Sequence, residues 1–208
     1  MPAEAPIPLS SHEIALLQDR EFFRAKAAIG AKVRQWLVEL RDRLKVELAH
    51  GRILAPSGID LTHGQFVKGE HLDDLPYQYL DFPKYYAGTD KCAFRTLFWW
   101  GHQVVFALIL EGRYLEAYRA NLVRRYDRIS ASGLVLLRTP TPWEWRRDPE
   151  RLLELRPDNR AAVAAALGER AFVKIHRYLA FDDSIIAAGR LADAGVAAFQ
   201  AMRPIIDP

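Results

Sequence analysis

Residues Phe94 to Gly112 read FRTLFWWGHQVVFALILEG, and the fold turns on how this stretch is read. Two apolar runs flank Gly101-His102. Phe94, Leu97, Phe98, Trp99 and Trp100 precede it; Val104, Val105, Phe106, Leu108, Ile109 and Leu110 follow. Aromatic and β-branched residues dominate, and these fit the pleated surface of a strand better than a helix. Glycine as first central residue suits a two-residue type II′ hairpin turn. That turn predicts the pairs Trp99–Val104, Leu97–Phe106 and Arg95–Leu108. Both faces of the ribbon are apolar, so the hairpin belongs near the centre of a sheet with protein on each side.

Upstream, residues 1–9 carry three prolines and read as a loose arm, leaving 10–208 as one domain. Ser10 followed by Glu13 matches a capping box, so a helix starts there. From Arg20 to His50, Phe22, Ile29, Val33, Trp36, Leu37, Leu40, Leu44 and Leu48 recur at spacings of three and four. That is the core-facing stripe of a long amphipathic helix, which Gly51 ends. Residues 51–74 read as a glycine-bearing loop with an edge-strand candidate at Ile59-Asp60-Leu61. Leu75 to Phe82 reads as a strand with Pro83 at its end.

Downstream, Tyr114 to Ile129 is a second amphipathic helix and Leu134 to Leu137 a short buried strand. Arg138 to Pro149 contains three prolines and two tryptophans and forms no regular helix. Glu150 to Leu155 reads as a turn or two of helix, and Asp158 caps a helix running to Leu167. Ala171 to Phe181 alternates Phe172, Lys174 and His176 against Val173, Ile175 and Arg177, as a strand does. Asp182-Asp183-Ser184 caps a last helix through Met202. Strands joined by tight turns, with helices before and after, predict an α+β fold with a mainly antiparallel sheet.

Composition excludes several classes. With 29 basic and 26 acidic residues the net charge is only +3; a dedicated nucleic-acid binder carries a denser basic stripe. One cysteine, Cys92, rules out an internal disulfide or a cysteine-rich metal site. No apolar run approaches the roughly 20 residues that span a bilayer. The first residues lack a basic stretch followed by an apolar core, so no secretory signal is read and a cytoplasmic location is expected. There is no GxGxxG, Walker loop, GxSxG or kinase signature, and no cofactor is implied.

Several groups of residues are chemical candidates. Arg95, on the strand face with Leu97 and Trp99, needs a partner such as Asp81 or Glu111 if buried. Left open, it would form a recess for an anionic ligand with Tyr79 and Trp99, bordered by Trp143 and Trp145. Arginine beside tryptophan in WEWRR is also a common anchor for protein partners. His63, Glu70 and His71 are metal-ligand types in one loop, though without a zinc spacing. His102 and His176 would form a catalytic pair only if both reached one proton. Arg124, Arg125, Arg146 and Arg147 are the candidate nucleic-acid contacts.

The run FRTLFWWGHQVVFALILEGRYLEAYRANLVRRY resembles the hairpin-then-helix core of the YktB-like bacterial proteins, a family of uncharacterised soluble proteins. Element order continues alike through Trp143–Trp145, the strand at Phe172 to Leu179 and the terminal helix. The resemblance covers Leu75 to Met202 and departs at the long N-terminal helix and the loop after it. It implies an antiparallel α+β fold and brings no activity or site residues. The leading expectation is thus a binding protein for a small anionic ligand or a protein segment. A metal-assisted hydrolase using His63, Glu70 and His71, and a weak nucleic-acid binder, are the alternatives.

Overall fold

A computed structural model describes residues 7–208; the part of the expected arm before Ile7 lies outside the described residues. Ser10 and Glu13 form the capping box, the Glu13 backbone N–H donating to Ser10 Oγ at 3.2 Å and the Ser10 N–H to Glu13 Oε2 at 2.6 Å. It opens α1 (Ser11–Gln18). Asp19 accepts from the Phe22 N–H at 2.8 Å and opens α2 (Arg20–Ala49).

Four strands follow in sequence: β1 (Gln65–Leu72), β2 (Leu75–Ala87), β3 (Asp90–Trp99) and β4 (Gln103–Glu111). The chain then forms α3 (Leu115–Arg124), α4 (Tyr126–Ile129), β5 (Val135–Leu137), β6 (Leu152–Glu154), α5 (Arg160–Gly168), β7 (Phe172–Leu179), α6 (Ser184–Ala187) and α7 (Leu191–Ile206). Every strand pair is antiparallel, in the order β1-β2-β3-β4-β7-β5-β6. This is the α+β class, with β3 and β4 at the centre of seven strands and buried almost throughout.

The hairpin register differs from the expected one. Trp99 faces Gln103, Leu97 faces Val105 and Arg95 faces Ala107. The loop is therefore three residues, Trp100 to His102, with Gly101 at φ +71° supplying the left-handed position that such loops use. One residue of slip exchanges the partners of each face. Leu97 and Trp99 share a face with Val105, Ala107 and Ile109, while Phe94 and Phe98 share the other with Val104, Phe106 and Leu108.

Other boundaries moved for identifiable reasons. β1 occupies what read as loop, because an edge strand paired on one side carries polar residues freely; Asp60 adds a single bridge to Lys84. β2 runs past Pro83, since a register shift between Asp81 and Lys84 removes the need for a proline N–H. The helical turn expected from Glu150 is confined to a 3-10 turn at Pro149–Arg151, and Leu152–Glu154 instead form β6, an antiparallel partner of β5. The cap of α5 falls at Asn159 and has no side-chain hydrogen bond. The last helix is broken at Gly189 (φ +70°) into α6 and α7.

Helices cover one face of the sheet. The α2 stripe of Val33, Leu37, Leu40, Leu44 and Leu48 joins Phe199, Met202 and Ile205 of α7 and the Phe94–Phe106 side of the hairpin. The two helices meet at Gly195, where an added Cβ would lie 2.6 Å from Leu40 Cδ2. Gly195→Ala is expected to cost about 1–3 kcal/mol through overpacking, read as a lower urea midpoint with unchanged slope. Among the described residues no α-helix covers the opposite face; its cover is the proline-bearing chain between β5 and β6.

Candidate functional site

Antiparallel pairing lines residues up across strands on one face. Asp81, Arg95, Ala107 and His176 form one row through β2, β3, β4 and β7. The next row places Ala93, Ile109 and Lys174 together, and the row on the other side Leu97, Val105 and Tyr178. Ala107 is the small residue between Arg95 and His176. The space above it is taken by the Trp145 indole. That ring stacks on His176 with centroids 5.5 Å apart and planes 7° apart. Lys174 Nζ lies 3.7 Å and Arg95 Cζ 5.2 Å from the indole centroid. Three nitrogen bases thus ring one buried tryptophan.

Arg95 is 8% exposed and fully engaged. Its Nε and Nη2 donate to the two Asp81 oxygens at 2.6 Å each, and Tyr79 lies under the guanidinium at 3.8 Å. Burial alone would lower its pKa, but the Asp81 hydrogen bonds and charge raise it. Tyr86 donates to Asp81 at 3.0 Å, and burial followed by that carboxylate holds its phenol far above the ordinary value. Glu111, the other expected partner of Arg95, pairs with Lys91 at 2.6 Å instead.

Lys174 and His176 are in a different state. Both are buried. Lys174 Nζ donates to the Glu144 carbonyl oxygen at 2.6 Å, and among the described residues no carboxylate forms an ion pair with it. Burial, then the neighbouring Arg95 charge, pushes the ammonium down to about 6. His176 Nδ1 meets the Tyr178 hydroxyl at 3.1 Å, while its Nε2 is buried without a partner. Burial and then Lys174 hold the imidazole well below its usual range. These buried titratable groups, gathered at one place, make this face of the sheet the candidate site.

Besides the Lys174–Glu144 hydrogen bond, the stacked indole and an Arg170 hydrogen bond to the Thr139 carbonyl, exposed ion pairs hold the cover. Arg146 holds Asp73 in the β1–β2 turn at 2.7 and 2.8 Å, and Arg151 holds Glu144 at 3.0 Å. Such exposed pairs contribute about 0–1 kcal/mol each. Between Arg138 and Asp148 the chain has no regular helix or strand.

The structure brings Arg95, Tyr79, Trp143 and Trp145 around one guanidinium, Trp143 at 5.5 Å. Trp99 lies on the same face, its Nε1 donating to the Leu72 carbonyl at 2.9 Å and its ring stacked on His102. The expected open recess at Arg95 is instead a closed ion pair. Lys174 escaped notice as a chemical group because its strand reads as a plain alternation; placing that strand beside β4 is what buries it.

The remaining candidates disperse. His102 sits in the hairpin loop and His176 faces Ala107, five residues away along β4, about 16 Å at 3.3 Å per residue; they form no pair. Glu70 is taken by Lys26 at 2.6 Å, His71 is its neighbour in β1, and His63 lies in the bend before that strand. Among the described residues no three His, Cys, Asp or Glu side chains are grouped to hold a metal ion. Arg125 donates to the carbonyls of Pro204 and Asp207 on the helical side, whereas Arg146 binds Asp73 on the opposite side, so these arginines make no continuous stripe. Among the described residues no helix is long and apolar enough to cross a membrane. Compared with protein-family models, curated proteins and solved structures, the chain matches none at a significant level.

Proposed function

We propose that this is a binding protein for a small anion, a carboxylate or phosphate, taken up over Ala107 between Arg95, Lys174 and His176 when the Trp143–Trp145 segment lifts. One observation supports this above the others. Lys174 and the His176 Nε2 are buried beside an arginine whose own countercharge, Asp81, is already fully used. An anion replacing the indole would give Lys174 a countercharge and the His176 Nε2 a partner, and charge-assisted hydrogen bonds are the strong kind.

Proton linkage gives the reading a signature. Lys174, with its pKa near 6, is mostly neutral at pH 7.5. An adjacent anion favours the ammonium, so binding draws a proton from solution. Calorimetry with inorganic phosphate and with small carboxylates, in two buffers of different ionisation heat, is expected to show uptake approaching one proton per anion. Lys174→Met should abolish binding, and Trp145→Ala should tighten it by removing the competing indole. Failure of every such anion to bind either the native chain or Trp145→Ala would end the proposal.

A protein segment bearing an acidic residue is the second reading, favoured by Trp143, which is 44% exposed at the rim. We place the protein in the cytoplasm. Cys92 is buried and its thiol is pushed up to about 11 by burial, an inert group that fits a reducing compartment.

A further inference from the structure

α1 and the first turns of α2 project from the body of the molecule. α1 buries none of its side chains, and α2 buries none before Val33. Yet Ile14, Leu16, Leu17, Phe22, Phe23 and Ile29 are large, apolar and exposed along this arm. Phe22 and Ile29, seven residues apart, extend the same stripe that Val33, Leu40 and Leu44 turn toward the core. At 1.5 Å per residue, the part of α2 before Lys26, which pairs with Glu70 of β1, carries the arm about 9 Å past the sheet.

Where the stripe leaves the body there is a groove of about 620 Å³. Ile29 and Trp36 of α2, Phe98 and Trp100 of the hairpin, and Phe181 and Ile186 beside α6 line it. One chain therefore presents both a projecting apolar helix and an apolar trough at its base.

We propose that the occupant is a second copy of this chain, the arm of each copy lying in the groove of the other about a two-fold axis. A two-fold contact is made twice from one complementary pair of surfaces, which is what an arm and a trough on one chain provide. The area is sufficient. Leaving out Ile29, which lines the trough itself, and including Ile7 and Leu9, which are also exposed, the arm's seven large apolar side chains offer about 700 Å², taking roughly 100 Å² for each. That is the contribution of one partner to a standard interface.

Charge argues for protein over lipid. From Ile7 to Ala31 the arm holds Glu13, Asp19 and Glu21 against Arg20, Arg24 and Lys26, and Lys26 is tied to Glu70. A helix that lies on a membrane is instead rich in lysine and arginine.

Sedimentation equilibrium of the full chain, from about 1 to 100 μM, is expected to give twice the 23.7 kDa chain mass. The exposed-site variant Leu17→Asp/Phe22→Asp should sediment as one chain with an unchanged far-UV spectrum. Trp36 and Trp100 emission should shift to longer wavelength and iodide quenching should rise in that variant. A native chain that stays at one chain mass at the highest concentration overturns the proposal, whether it is free, folded back on itself or bound to vesicles. So does a dimer that survives the double substitution. A variant that dissociates with unaltered tryptophan emission and quenching rejects the groove as the seat of the arm. None of these results depends on whether an anion binds.

Discussion

Asp81→Ala is expected to destabilise the protein by about 3–5 kcal/mol, the cost of leaving one member of a buried ion pair without its partner. The carboxylate is fully buried and accepts from Arg95 Nε, Arg95 Nη2 and Tyr86 Oη. Its removal strands a largely buried guanidinium without its countercharge and a phenol without its acceptor. The penalty lies in the stranded partners more than in the lost attraction. The triple variant Asp81→Leu/Arg95→Met/Tyr86→Phe should therefore recover most of the loss, since apolar groups of similar volume replace buried ion pairs at little cost. Urea unfolding of the single and triple variants measures both. A single variant within 1 kcal/mol of the native chain, or a triple variant no better than the single, would contradict the arrangement of this site.

Lys174→Met should raise stability at pH 7 by about 1–3 kcal/mol. Folding holds the Lys174 ammonium near 6, against an ordinary value near 10.4 in the unfolded chain. Between those two pH values the unfolded chain binds a proton that the folded chain does not. Stability therefore rises with pH through that window and falls as pH drops toward 6, by up to about 1.4 kcal/mol per unit. Below pH 6 both states are protonated and the lysine contribution is constant. His176, also held low, adds a further loss as pH falls below about 6.5. Methionine removes the ionisation penalty; the Glu144 carbonyl it leaves without a donor gives back about 1–3 kcal/mol. The diagnostic is the slope: melting temperature against pH from 6 to 10 should be flatter in Lys174→Met than in the native chain. Parallel curves would mean that the lysine is ionised in the fold.

Both predictions concern side chains whose burial followed from strand placement, and that marks where the sequence was readable. The hairpin at the sheet centre, the α2 stripe, the Ser10–Glu13 cap and the alternation of β7 were legible because each rests on local periodicity or a local hydrogen bond. Arg95 with Asp81 was foreseeable as one of two pairings. Register was not, since WWGH admits a two-residue or a three-residue loop and the apolar pattern on both faces satisfies either. β1 was missed because an edge strand has no second neighbour to impose an apolar face, and Gly69 and Glu70 looked like loop. β6 was missed because three residues carry no period. Lys174 and His176 are brought together and buried only because β7 lies between β4 and β5, a long-range fact that no window of sequence contains.

That placement also sets the order in which the chain can assemble. The meander β1 to β4 is complete by Glu111 and forms from neighbouring segments. Among the described residues the β5–β6 ribbon pairs with the rest of the sheet through β7, which is made some 35 residues after β5. During synthesis the ribbon, and the tryptophan segment it carries, must therefore wait for the last strand to emerge before docking. Closing such distant pairs is the slow part of folding, and the exposed Leu108–Leu110 edge of β4 is the surface most open to misassociation in the interval.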